Sequence, residues 1–133
     1  MQPIKNITQF VFVFIFIILS GCASVQVAKD ARGTGQKKIY EKPMSQVWGA
    51  MKQAVLNTGG SIVSENTNDC SILAKYGVGA FSWGERVGVF CVVISENKTE
   101  TEVVSKRAVS MNITASDWTN DIYKELDELL KYQ

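Results

Sequence analysis

Three cysteines, Cys22, Cys70 and Cys91, are the residues of this chain best equipped for nucleophilic, metal or redox chemistry, and it has no histidine to assist them. Without imidazole, Ser-His-Asp and Cys-His catalysis are excluded, as are zinc sites with a histidine ligand. The cysteines are scattered, with no CxxC pair to mark a redox motif. The carboxylates offer no better start. Glu96, Glu100 and Glu102 flank a turn, and the acids near the C-terminus lie on the wet face of a helix, so all read as solvated charges. General acid/base work needs one carboxyl desolvated and its pKa moved. Gly77–Glu85 (GVGAFSWGE) is glycine-rich, yet its flanks read as strands and no GK[ST] follows. A phosphate cradle needs those glycines to open onto a helix N-terminus. The chain therefore reads as a non-enzyme with no cofactor and no metal. A formal charge of +1 argues against nucleic acid as a partner.

Cys22 is set apart by what precedes it. Residues 1–21 contain one charged side chain, Lys5, then the unbroken apolar run Phe10–Leu19 (FVFVFIFIIL). Ten residues are too few to span a bilayer and have the length of a signal-peptide hydrophobic region. Leu19-Ser20-Gly21-Cys22 follows directly and resembles the lipobox of bacterial lipoproteins. That resemblance implies cleavage of a signal peptide, residues 1–21, with Leu19, Ser20 and Gly21 recognised by the peptidase. It also implies diacylglycerol on the Cys22 thiol and an acyl chain, such as palmitate, on the new amino group. Two or three chains anchor firmly where one would not. Ala23 rather than Asp after the cysteine implies release to the outer membrane, on its periplasmic face. Lys5 is the only charge lost, so the mature chain is electrically balanced.

Residues 22–38 read as the lipidated cysteine and a flexible polar tether with a basic bias from Lys29, Arg32, Lys37 and Lys38. Residues 39–133 read as a single periplasmic domain. Ile39-Tyr40 begins a short strand ended by Pro43. Met44, Val47, Trp48, Met51, Val55 and Leu56 then recur at helical spacing until Gly59-Gly60. Ser61–Glu65 and Cys70–Tyr76 are strand-like runs around a turn cluster, Asn66–Asp69. Arg86–Ser95 is β-branched throughout and reads as a central strand covered in part on both sides. Glu102–Ile113 alternates, with Val103, Ser105, Arg107 and Val109 toward helices and Val104, Lys106 and Ala108 toward water. A last helix carries Trp118, Ile122, Leu126, Leu129 and Leu130 on one face.

The expected fold is α+β, in the order β-α-β-β-β-β-α. An antiparallel sheet of four to five strands carries two helices packed on one face. That order, with Pro43, Val47-Trp48 and Gly59-Gly60, is similar to the small periplasmic domains of bacterial lipoproteins such as BamC. The similarity implies a binding or scaffold domain without catalysis.

Two candidate sites remain. In an oxidising compartment spare thiols tend to pair. Cys70 and Cys91 thus form a disulfide if their strands are adjacent, or else serve as two small buried hydrophobes. Phe81 and Trp83 are large aromatics in what reads as a long hairpin tip. They either meet a partner or membrane, or tuck back over the sheet edge. The functional expectation is an outer-membrane lipoprotein, held by its N-terminal lipid, whose small non-catalytic domain binds another cell-envelope component. The alternative is a lipid or small apolar ligand module with a cavity between helices and sheet.

Overall fold

The computed structural model describes residues 29–79, 82–107 and 118–132. Leu19, Ser20, Gly21, Cys22 and Phe81 lie outside the described residues. The elements are β1 (Gln36–Tyr40), α1 (Met44–Asn57), β2 (Ser61–Asn66), β3 (Ser71–Gly79), β4 (Ser82–Ser95), β5 (Lys98–Arg107) and α2 (Trp118–Lys131). The strands form one five-stranded antiparallel sheet in the order β1-β5-β4-β3-β2. β2 to β5 form a meander, while α1 carries the chain from β1 on one edge to β2 on the other. The α+β class and the element order match the sequence expectation. Among the described residues no helix is long and apolar enough to cross a membrane.

Both helices lie on one face of the sheet. α1 starts at Pro43, which sits just before the helix with extended backbone, its carbonyl accepting from the Gln46 and Val47 amides. The helix ends where Thr58 and Gly60 donate back to Ala54 and Val55, with Gly59 in the left-handed region. Gly60 has a second role. A Cβ there would stand 2.6 Å from the Tyr76 ring, so glycine lets that ring close the core.

Register builds the inner face. Ile72 stands opposite Val89 and Val89 opposite Val103, while Ala74 faces Val87. These side chains join Val47, Met51 and Val55 of α1 and Ile122, Leu126 and Leu130 of α2 in one buried cluster. Tyr76 stacks on Trp118 at 4.5 Å.

The outer face departs from expectation. Val104, expected toward water, is buried with Leu73, Phe90 and Ala31 in a second, smaller cluster. Its cover comes from the segment read as tether. β1 begins at Gln36 rather than Ile39, and residues 29–35 lie across the sheet instead of floating free. The covering is local. At the far end of β4, Val92 is 52% and Val93 57% exposed, so the burial expected for that strand stops at Cys91.

Candidate interaction surface

The disulfide lies at the margin of the inner face, where both cysteines join the buried cluster under the helices. Cys70, at φ 48°, ends the turn after β2. Its carbonyl accepts from the Cys91 amide at 3.0 Å. That pairing sets the two Cα atoms 5.2 Å apart, and the sulfurs are bonded. Adjacency of β3 and β4 is therefore what brings residues 21 apart in sequence together.

On the outer face lies a strap, residues 29–35, over Leu73, Phe90 and Val104. Arg32 donates to the carbonyls of Asp69 at 2.9 Å and Cys91 at 3.0 Å, and its guanidinium lies 5.1 Å from the centre of the Phe90 ring. Fixed planar donors and a stacking face make arginine suited to this bridging. Glu102 holds the other end. One carboxylate oxygen accepts from the Gly33 amide at 2.6 Å and the Gly35 amide at 2.8 Å. Gly33 occupies the left-handed region, and a side chain on Gly35 would collide with the Val103 carbonyl and Val104. Glu102 is only 6% exposed, which corrects its reading as a solvated charge. Strap amides are its donors.

Beyond the strap, β3, β4 and β5 place basic residues side by side. Lys75 stands opposite Arg86, and Arg86 opposite Lys106. Lys75 and Arg86 point to the outer face, because Ala74, Tyr76 and Val87 on either side point inward to the core. Neither has a carboxylate partner among the described residues. Other charges of this face are matched: Glu100 pairs with Lys37 at 3.2 Å, and Asp69 with Lys29 at 3.8 Å.

The β3–β4 hairpin differs from the long loop expected. The strands run to Gly79 and from Ser82, leaving a two-residue connection. Gly77 and Gly84 both occupy the left-handed region, and the pairing keeps its register beyond them at Val78 with Trp83. Trp83 is thus a strand residue near the tip.

On the helical side, a groove of about 380 Å³ lies between the end of β1 and α2, lined by Tyr40, Glu41, Lys42, Lys124, Asp127 and Leu130 among others. Its wall is a polar clasp. Lys38 binds both oxygens of Asp127 at 2.7 and 2.6 Å, and the Tyr40 hydroxyl donates to Asp127 at 2.9 Å. Burial, then the Asp127 carboxylate, raises the Tyr40 pKa far above its ordinary value. Burial also raises those of Tyr76 and Tyr123. These phenols stay protonated and serve as fixed donors: Tyr123 donates to the Gln36 carbonyl at 2.6 Å. Tyr76 and Trp48 belong to the core and its margin rather than to a stacking site. No group of three or more Cys, Asp or Glu residues able to hold a metal occurs among the described residues.

No family model matches this chain, and no curated protein matches it. Solved structures share its fold. A chain in the adenylate sensor from AMP-activated protein kinase, crystallised with 5-aminoimidazole-4-carboxamide ribonucleotide (ZMP), is 10% identical with a TM-score of 0.50. The match covers 72% of this chain and 95% of that one. The same sensor complexed with ATP gives 9% identity and a TM-score of 0.51, covering 69% and 92%. At such identities the likeness is one of fold.

Proposed function

We propose that this chain is an outer-membrane lipoprotein whose small, non-catalytic domain works on the periplasmic side by binding another envelope component. The observation that carries the reading is Leu19-Ser20-Gly21-Cys22 directly after a ten-residue apolar run. The Cys70–Cys91 disulfide supports it, because such bridges persist in oxidising compartments. A lipid anchor also raises local concentration, so a weak contact at the membrane suffices. The fold likeness to the adenylate sensor transfers no residue at 9–10% identity and adds no nucleotide to the reading. For the alternative of a lipid or small apolar ligand module, the described residues offer core side chains packed between helices and sheet and a groove lined largely by charged residues.

The test is Cys22→Ser in the intact chain, followed by fatty-acid labelling and processing. Loss of both is expected, and retention of either contradicts the anchor. Crosslinking in whole cells, compared between the wild type and Phe81→Ala with Trp83→Ala, then tests the hairpin as the partner contact. An unchanged crosslink pattern removes the hairpin from the interface.

A further inference from the structure

We infer that the outer face of the sheet, on the side of Lys75 and Arg86, rests on anionic lipid headgroups. This rests on the lipoprotein reading and adds an orientation to it. The first argument is the length of the tether. Because the strap fixes residues 29–35 to the sheet, Lys29 follows Cys22 by only seven positions. Seven extended residues reach at most about 25 Å, comparable to the breadth of a five-stranded sheet at about 4.8 Å per strand. The domain is therefore held close to the bilayer by its outer face.

Charge gives the second argument. Like charges directly opposite on neighbouring strands repel, and Lys75 and Arg86 stand in that arrangement. Glu102 and Glu100, the acids of β5 on the same face, are engaged by the strap amides and by Lys37. A negatively charged plane relieves the repulsion between Lys75 and Arg86. At the other end of this face Ile39 and Val92 flank Glu100 in register, and both side chains are about half exposed. They offer apolar contact at the headgroup boundary.

Amine footprinting by mass spectrometry tests the inference on the full, processed chain. The protein is reconstituted in vesicles of phosphatidylcholine with phosphatidylglycerol, and separately in phosphatidylcholine alone. Lys75 and Lys124 are both exposed, and Lys124 lies on α2 over the opposite face. In anionic vesicles Lys75 is expected to be acylated several-fold more slowly than Lys124, and in phosphatidylcholine the difference shrinks. Arg86→Gln removes one charge and lowers the docked-to-free ratio about five-fold. Equal labelling of the two lysines in both vesicles overturns the inference. So does protection of Lys124 instead, or protection of Lys75 that is indifferent to lipid charge. Intact mass of the same sample separates the two claims. A chain without diacylglycerol on Cys22 fails the anchor, and the inference with it. A lipidated chain with Lys75 open fails the orientation alone.

Discussion

The two faces of the sheet are built from the same strands and are covered by different means. The inner face lies under two 14-residue helices whose apolar stripes meet Ile72, Val87, Val89 and Val103. The outer face is covered only over Leu73, Phe90 and Val104, by a strap held with an arginine, a carboxylate and two glycine amides. Area burial secures the first. Directed polar contacts secure the second, and leave both ends of that face open. The inner face is thus committed to stability, while the outer face keeps surface available for an environment outside the chain.

The sharpest break in this comparison is on the inner face. Leu126→Ala removes a fully buried side chain between α2 and the sheet and is expected to cost 2–5 kcal/mol, about the range for such cavities, read by denaturant unfolding. At the margin of the same core, Cys70→Ala with Cys91→Ala frees a 21-residue separation and should cost about 3 kcal/mol in the loop-entropy account. The strap comes next. Glu102→Ala leaves the Gly33 and Gly35 amides without their acceptor, a loss of about 1–3 kcal/mol. Hydrogen exchange should then quicken at residues 29–35 while α1 and α2 keep their protection. Equal loss of protection in the helices would mean the two faces are one cooperative unit.

How much of this was legible in the sequence follows the same division. α1, α2 and β4 carry periodic apolar residues, so the helices, the sheet and their shared core could be read locally. Cys70 and Cys91 could be paired only once β3 and β4 were known to be neighbours. The strap carries no period at all. Its hold on Glu102 joins residues 67 and 69 positions apart through backbone amides, and nothing local announces such a bond. Only Gly33-Thr34-Gly35 hinted at close backbone approach, and glycines of that kind equally suit a tether. The hairpin misled for a related reason: Gly77 and Gly84 look like loop residues and instead lie within paired strands.

Smaller effects sharpen the contrast. Tyr40, Tyr76 and Tyr123 have pKa values raised in the folded state, so their protonated forms are favoured there. The unfolded chain releases those protons first, near pH 10, so stability should fall as pH rises beyond about 10. Tyr40→Phe should lessen this fall and cost about 1 kcal/mol at neutral pH through the lost Asp127 contact. Thermal melts across alkaline pH check both. Least of all, Lys37→Ala on the exposed rim should shift stability by no more than about 1 kcal/mol.

The account depends most on the state of Cys22, and intact-mass spectrometry of the chain purified from the membranes of a lipoprotein-processing bacterium measures it directly. The predicted mass is that of residues 22–133 carrying a diacylglyceryl group and an amide-linked acyl chain, with Cys70 and Cys91 oxidised. A chain that retains residues 1–21, or one cut elsewhere with the Cys22 thiol unmodified, would contradict it.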